Sequence, residues 1–432
     1  MTSASKQAGP WRSMVIDQVA AVRAAVEPAP LVAAALKTEL HRDRSTGVHV
    51  LAVGKAGGGM LAGLDPREIS LRRVCATLPP SHIDHWRSPP GVPARLMACD
   101  HPLATERNVQ AAREVAAFVA STPPDDLLLV LLSGGASAHL TLPREGLSLD
   151  ELVAVSRTMM KAGASIRELN ACRTGLESLK GGGLARLRAA GRTLVLVLSD
   201  VIGDSLEVIG SGPFMPVAQT PGAALAAFDR YVPSGEHLHA RRLLELPGLD
   251  VAARTDAAPR IEHRVIGNND RAVDAAVAGL QRRGVRVRAA HRRLEGSVAS
   301  WGVVLLEAAR EPVQTPEAWV VGGEPVVNVG HACGTGGPSQ ELALTIATGL
   351  EGLDGWVFVS YSTDGIDGPT HAAGAVVDGG TAGRSRAAGV DPQRALAAHD
   401  STRALDAAGD LLVTGPTGTN VNHVAVLVRF PA

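Results

Sequence analysis

The chain is poor in the features that mark several protein classes. Aromatic residues make up 3% of its 432 residues, and the formal net charge is −1, so no broad charged surface for a nucleic acid or an anionic membrane is expected. The four cysteines, Cys75, Cys99, Cys172 and Cys333, form no CxxC pair. Their spacing predicts no zinc site and is typical of a reducing compartment.

Targeting and membrane signals are also lacking. The N-terminus has no basic stretch followed by an apolar core, and no apolar run approaches the roughly 20 residues that span a bilayer. We therefore expect a cytoplasmic protein, with no membrane and no nucleic acid among its partners.

Two common nucleotide-binding motifs are missing as well. The chain contains no GxxxxGK[ST], which excludes a P-loop NTPase, and no GxGxxG follows its first predicted strand. The chain therefore lacks the usual sequence motif of a nicotinamide-dependent reductase.

Length and composition favour two α/β domains. A chain of 432 residues is long for one core, and Ala, Gly, Val and Leu dominate its apolar content. The turn-rich stretch 247–259 predicts a hinge. The predicted domains are therefore 1–250 and 260–432.

One buried strand and its turn organise the prediction. The apolar run 127–132 has the length of a strand buried on both faces of a parallel sheet. It ends in Ser133-Gly134-Gly135-Ala136-Ser137, where glycines let the backbone approach an anion closely. An ordinary tight turn is the alternative interpretation of this motif alone.

Similar loops recur along the chain. At least five predicted strands end in loops of Gly, Ser, Thr, Asp and Asn, at 54–59, 133–138, 199–204, 363–370 and 414–422. Such a set predicts a cleft that wraps a polyanion with backbone N–H groups and hydroxyls. Lys55 follows one strand directly, and we interpret it as a functional cation rather than a solvated surface residue.

Further polar residues have a helical or loop spacing. A helix is predicted over 166–188, and roughly one face of it carries Asn170, Arg173 and Lys180. This polar face either contacts a ligand or is exposed to solvent. Asp200 and Asp204 lie in a loop that could hold a cation or orient a hydroxyl. A hairpin with a Gly-Gly turn is predicted over 319–329.

Together the loops resemble the type-2 glycerate kinase family, whose C-terminal domain is called MOFRL and whose members are often labelled hydroxypyruvate reductase. The resemblance covers nearly the whole chain. It rests on the motifs at 53–56 (VGKA), 132–135 (LSGG), 179–182 (LKGG), 199–204 (SDVIGD), 322–324 (GGE), 363–368 (TDGIDG) and 414–422 (TGPTGTNVN).

The resemblance implies a larger Rossmann-like, three-layer N-terminal domain and a smaller α/β C-terminal domain, with the active site in the cleft between them. It also implies phosphoryl transfer from ATP, with Mg²⁺, to a hydroxyl of glycerate or a related small hydroxy or sugar acid, by a monomer or homodimer. Such transfer requires that the phosphoryl donor and the acceptor be held in place, and that a metal ion and cationic side chains stabilise the developing charge.

On that basis we assign expected roles. The expected catalytic residues are Lys55, Lys180, Asp200 and Asp364, with Asp200 and Asp204 as the metal ligands. The expected substrate- or phosphate-binding residues are Ser133, Gly134, Gly135, Ser137, Arg173, Glu324, Asp367, Thr417, Asn420 and Asn422.

Three positions depart from the family pattern. Pro338 stands where the family has an arginine thought to be catalytic, and His371 and His423 stand where it has aspartates. One interpretation is drift, with compensation by a residue such as His331 or Arg173. The alternatives are a repurposed enzyme with ATP-independent chemistry on a small phosphorylated or carboxylated metabolite, and a non-catalytic ligand-binding homologue.

Overall fold

The computed structural model describes residues 10–39, 46–84, 86–188, 191–215, 221–246, 260–310, 316–330 and 334–430. Residues Pro28–Ile266 form one compact unit, here the central unit; Met1–Glu27 with Gly267–Ala432 form a second, the terminal unit. The predicted hinge at 247–259, Cys333 and His331 lie outside the described residues. The predicted domain 1–250 included the first 27 residues, which the structure groups with the C-terminal half.

Each unit contains a six-stranded sheet. In the central unit the strands are β1 Gly47–Val53, β2 Ser70–Leu78, β3 Ala94–Ala98, β4 Leu127–Ser133, β5 Arg192–Leu198 and β6 Arg260–Gly267. In the terminal unit they are β7 Arg286–Ser297, β8 Glu317–Val326, β9 Trp356–Ser362, β10 Gly374–Asp378, β11 Leu411–Leu412 and β12 His423–Arg429.

Sixteen helices are present in the described part of the chain. They are α1 Pro10–Ala25, α2 Pro28–Glu39, α3 Gly57–Leu61, α4 Glu106–Ala120, α5 Ala136–His139, α6 Leu149–Lys161, α7 Ile166–Leu176, α8 Gly183–Leu187, α9 Pro221–Tyr231, α10 Leu238–Glu245, α11 Asn269–Arg282, α12 Val298–Arg310, α13 Pro338–Gly349, α14 Thr381–Ala387, α15 Pro392–Ala397 and α16 Ser401–Ala408.

The central sheet has the strand order β3-β2-β1-β4-β5-β6, and the pairs among β1 to β5 are parallel. Strand β4 is buried along its whole length, as its apolar run predicts. Helices α4 and α8 cover one face, and Gly57 of α3 lies against Ala52 on the other. Because β1 and β4 are parallel neighbours, their carboxyl ends meet at one edge of the sheet.

A helical subdomain of the central unit has its own core. Helices α6, α7, α9 and α10 pack around Leu152, Met159, Leu176, Phe228 and Leu244. This helical cluster supplies one wall of the site described below.

The terminal sheet is mixed, in the order β11-β10-β9-β12-β8-β7. Only β7 and β8 are parallel among its strand pairs in the described residues. Helix α1 joins this unit: the Trp11 ring stacks on Phe430 at 4.3 Å between centroids, and Arg12 Nη2 donates to Asp410 Oδ1 at 2.7 Å. These partners are some 400 residues apart, so the first helix gives no local sign of where it packs.

The predicted hairpin over 319–329 is wrong. Gly322 and Gly323 lie inside the continuous strand β8 and pair with β12. A Cβ at Gly322 would fall 2.3 Å from Val273 Cγ2, and one at Gly323 would fall 2.0 Å from Leu294 O. Glycine is required here for close approach within a sheet rather than for a turn.

The helix predicted over 166–188 is also wrong. Helix α7 ends at Leu176 because Glu177 adopts an extended conformation (φ −124°, ψ 143°), and the left-handed Gly182 precedes α8. Lys180 therefore lies in a loop rather than on the helix that carries Asn170 and Arg173.

The expectation that no stretch could span a membrane needs correction. The helical stretch Trp11–Glu39 is long and apolar enough by length and composition, a test that a buried core helix also passes. The structure divides it into α1 and α2, and Val15, Val22 and Val32 are buried. Its apolar residues thus have a packing role in the described structure.

Candidate small-molecule site of the central unit

Two glycine-rich loops interlock at the carboxyl edge of the central sheet. Lys55 N donates to Gly134 O at 2.8 Å, and Ala56 N donates to Ser133 Oγ at 3.1 Å. Gly54 has φ +112°, and a Cβ there would fall 2.5 Å from Ser133 O. The turn after β4 is thereby fixed against the loop that carries Lys55.

Three polar side chains gather around this turn. A Cβ at Gly134 would fall 1.8 Å from Asp200 Oδ2, so the carboxylate lies directly against the glycine. Gly135 has φ +85°, and a Cβ there would fall 3.1 Å from Lys55 Cγ and 3.2 Å from His101 Cδ2. A cation, a carboxylate and an imidazole therefore surround a backbone cradle that only glycine leaves open.

The turn opens on a cavity of about 320 Å³ within the central unit, a size within the range of small-molecule sites. Its other wall is the helical cluster. Of the predicted site residues, Gly135, Ser137, Arg173 and Lys180 line it, as does Asn170. The other lining residues are His101, Pro102, Leu103, Ala104, Ala138, Thr141, Leu152, Val153, Ser156, Arg157, Met160, Glu177 and Val208.

The serine after the turn belongs to a hydroxyl network. Ser137 Oγ is hydrogen-bonded to Ser211 Oγ at 3.0 Å, and Ser211 Oγ donates to Asn170 Oδ1 at 3.5 Å. These contacts link the sheet edge to α7.

Lys180 is part of a buried ion pair. Its Nζ donates to Glu177 Oε1 at 2.6 Å, and both side chains are almost fully buried. Burial lowers the pKa of Lys180, and the Glu177 carboxylate opposes that shift. Glu177 Oε2 has no hydrogen-bond partner among the described residues. Glu177 was not predicted, because its relation to Lys180 depends on the break between α7 and α8.

Two histidines close to Lys55 were also not predicted. Burial and the Lys55 charge lower the pKa of His101 to about 4. Burial lowers that of His139 to about 4, although its Nδ1–H donates to Thr77 O at 3.1 Å. His139 Nε2 is buried without a partner in the described structure. Both rings are neutral at physiological pH, so Lys55 is the cation of this group.

The predicted loops of the terminal unit bond mainly to one another. Thr417 N donates to Asp364 O at 3.0 Å, and Asp364 Oδ1 accepts from Ser362 Oγ at 2.7 Å. Asn422 O accepts from Thr363 Oγ1 at 2.7 Å, and Asn420 Oδ1 accepts from Asn422 N at 3.1 Å.

Asp367 caps the helix that follows the glycine loop 334–337. Its fully buried carboxylate accepts from Ser339 N at 3.0 Å, and from Gln340 N at 2.8 Å and Nε2 at 3.0 Å. Burial raises the pKa of Asp367, and these hydrogen bonds oppose the shift. An acceptor of this kind satisfies the free N–H groups at a helix N-terminus.

Two of the three departures from the family pattern meet at the same helix. Pro338 is the first residue of α13, where its missing N–H costs nothing. His423 Nδ1 is hydrogen-bonded to Ser339 Oγ at 2.7 Å, and burial lowers the pKa of His423. His371 is exposed on a loop, as Glu324 is at the end of β8.

The donors available for a metal are few. In the described ranges, no group of three or more His, Cys, Asp or Glu side chains is arranged to hold an ion. Mg²⁺ usually needs only one or two carboxylates, because substrate phosphates and waters complete its shell. Asp200, whose carboxylate lies against Gly134, is compatible with that requirement. The cysteines Cys75, Cys99 and Cys172 are buried and form no disulfide.

The arrangement of the central unit indicates a general class of protein. A buried parallel sheet with glycine turns at its carboxyl edge, facing a partly charged cavity, is the architecture of an α/β protein that handles a small polar molecule.

Comparison with known proteins gives the family. The family model "Domain of unknown function (DUF4147)" matches residues 16–245, and the MOFRL family model matches residues 317–423. The chain is 38% identical to the D-glycerate 2-kinase of Thermotoga maritima over 76% of this chain and 78% of that protein. The chain therefore belongs to the glycerate 2-kinase family.

Two further matches support this assignment. A putative hydroxypyruvate reductase of Agrobacterium vitis is 34% identical over 88% of this chain and 98% of its own length. The crystal structure of a glycerate kinase from Thermotoga maritima superposes with a TM-score of 0.84 at 34% identity, covering 97% of this chain and 99% of that one. The predicted family and two-domain α/β fold class are confirmed.

Proposed function

We propose that the protein transfers a phosphoryl group from ATP to a hydroxyl of glycerate or a related small hydroxy acid. The observation that carries the proposal is the interlocked turn after β4. There Lys55 and Asp200 surround a glycine cradle that opens on a cavity lined by Arg173. Membership of the glycerate 2-kinase family supports the same reaction.

Lys55 is the cation that we assign to the transferring group. The side chain adjoins Gly135, and the neighbouring imidazoles do not share its charge at neutral pH. A fixed ammonium beside the phosphoryl oxygens stabilises charge that develops in the transition state. The backbone and hydroxyl groups of Ser133, Gly134 and Ser137 cradle the anionic oxygens.

Arg173 is the residue that we assign to the acceptor carboxylate. Its one hydrogen bond in the described part of the chain is from Nε to Ser156 Oγ at 3.4 Å, so its other donors remain for a ligand. Guanidinium groups bind carboxylates through two parallel hydrogen bonds. Lys180, paired with Glu177, then has a positioning role instead of supplying a free charge.

Asp200, with Asp204 next along its loop, is the group that we assign to Mg²⁺. The ion supplies neutralisation and orientation of the nucleotide phosphates. As part of this proposal, Asp364 keeps its predicted catalytic role. The predicted substrate or phosphate binding is also kept for Asp367, Glu324, Thr417, Asn420 and Asn422.

The direct test is ADP release by the full chain with ATP, Mg²⁺ and a panel of hydroxy and sugar acids. The proposal predicts turnover that depends on one acid and on both ATP and Mg²⁺. Folded protein that binds ATP or glycerate in calorimetry without turnover would instead identify a non-catalytic homologue. Oxidation of NADH with hydroxypyruvate, measured in parallel, would identify a reductase.

A further inference from the structure

The cavity beside the turn has two chemically different walls. Arg173 and Asn170 of α7, with the Lys180–Glu177 pair that follows this helix, are polar or charged, whereas Leu152, Val153 and Met160 of the neighbouring α6 are apolar. Leu103 forms part of the rim, with 61% of its surface exposed, and Met160 is 48% exposed. The cavity therefore offers a ligand an apolar contact surface beside its charged groups.

The charges of the polar wall limit the ligand's charge. Glu177 neutralises Lys180 at 2.6 Å, and the exposed Arg157 is screened by solvent at the rim. Arg173 remains as the uncompensated cation closest to the interior, and one guanidinium matches one carboxylate.

The apolar wall is built by regular helix geometry. Leu152, Ser156 and Met160 recur every four residues and lie on one face of α6. Leu152 and Met160 flank Ser156, which is hydrogen-bonded to Arg173. A ligand whose carboxylate reaches Arg173 therefore has apolar side chains on either side of it.

From these observations we infer that the preferred acceptor is a monocarboxylic 2-hydroxy acid with a branched aliphatic substituent, larger than the hydroxymethyl group of glycerate. Its carboxylate binds Arg173, and its substituent packs against Leu152 and Met160. The inference rests on the proposed function for the position of the hydroxyl at the turn after β4 and for the pairing of the carboxylate with Arg173.

The size of the preference follows from burial of the substituent. Each buried methylene contributes about a fourfold gain in affinity. Glycerate has a polar substituent that gains nothing from this wall, so a branched acid with two or three more apolar carbons is expected to bind at least about tenfold more tightly.

The test is calorimetric titration of the full chain with D-glycerate, D-lactate, D-2-hydroxy-3-methylbutyrate and D-2-hydroxy-4-methylpentanoate, with and without Mg²⁺ and a non-hydrolysable ATP analogue. One of the branched acids should bind at least tenfold more tightly than glycerate in one of these conditions. Met160→Gln should remove most of that preference. Arg173→Gln should weaken the binding of all four acids.

The matched control is Leu238→Gln, which changes an exposed leucine of α10 outside the cavity lining and should alter no affinity. The inference is overturned if glycerate binds as tightly as the branched acids. It is also overturned if the preference survives Met160→Gln, or if no acid binds in either condition.

ADP release with the same acids separates this inference from the proposed function. A binding preference without turnover keeps the inferred ligand class and rejects the kinase. Turnover of glycerate without a preference keeps the kinase and rejects the ligand class.

Discussion

The two units use their polar loops in different ways. In the central unit, the turn after β4 lies against the Lys55 and Asp200 side chains and opens on a cavity that Arg173 lines. In the terminal unit, the loops at 363–370 and 414–422 satisfy one another, as in the Thr417–Asp364 and Asn422–Thr363 contacts. Similar glycine- and aspartate-rich motifs thus lie beside a cavity in one unit and bond mainly to one another in the other.

This difference has a topological cause. Parallel strands bring their carboxyl ends to one edge, so consecutive loops of the central unit converge on a ligand-sized space. The terminal sheet is mixed, and its loops at 334–337 and 363–370 meet through the Asp367 cap. The following predictions test whether the division between ligand-facing and structural residues holds.

The largest expected effect is on turnover. Lys55→Ala removes the cation assigned to the transferring group, and the rate of ADP release should fall by about a thousandfold. The exposed lysine of α6 provides the control, because Lys161→Ala should leave the rate unchanged. A fully active, folded Lys55→Ala protein would remove this side chain from the mechanism.

Two matched substitutions, Asp367→Asn in the terminal unit and Asp200→Asn in the central unit, should have opposite effects on stability and rate. Asp367→Asn places an NH₂ group against backbone donors in a buried cap, and the free energy of unfolding should fall by about 2–3 kcal/mol. Asp200→Asn should change stability by less than about 1 kcal/mol and lower ADP release by about a hundredfold. Denaturant unfolding and rate measurements on both variants check this; the reverse pattern would reject the division.

A pH effect of similar size is expected at His139. Its pKa is about 4 in the folded protein and near 6.5 in the unfolded chain. As the pH falls from 6.5 to 4, the unfolded chain binds a proton that the folded chain does not. Stability should therefore fall across this window, by up to about 3 kcal/mol from this group.

Denaturant unfolding at pH 7 and pH 4.5 measures that loss. His139→Gln removes the titrating ring and should reduce the difference between the two pH values. His371→Gln, at an exposed position, should leave the difference as it is in the unmodified protein. Equal pH dependence in all three proteins would contradict the assignment to His139.

The smallest effect is expected at the start of α13. Pro338→Arg replaces a favourable first helical residue by a cation near the helix N-terminus, and stability should fall by less than about 1 kcal/mol. Combined with His423→Asp, it should raise ADP release severalfold if the departures lower the rate of phosphoryl transfer. An unchanged rate would indicate that these substitutions are drift.

Local patterns were enough to predict much of the central unit. The apolar run 127–132 and the motif after it gave β4 and its turn, and Lys55 and Arg173 were both singled out. His101 was missed because it reaches the turn only through the pairing of β3 in the sheet, which leaves no short-range signal. The expected roles of the site residues remain predictions.

Other features could not be predicted because the same residue type serves different purposes. A Gly-Gly pair in a turn and the pair at Gly322 and Gly323 look alike in sequence. Here, however, the missing side chains let Val273 and the Leu294 backbone pack closely against strand β8. The packing of α1 in the terminal unit depends on contacts with Phe430 and Asp410, at the opposite end of the chain.

The most direct test of the division between the units is hydrogen–deuterium exchange of the full chain with a non-hydrolysable Mg-ATP analogue and the hydroxy acid that binds most tightly. The account predicts slower exchange in segments 133–138 and 166–180 of the central unit. Unchanged exchange in both segments, with slowing confined to 363–370 and 414–422, would contradict it.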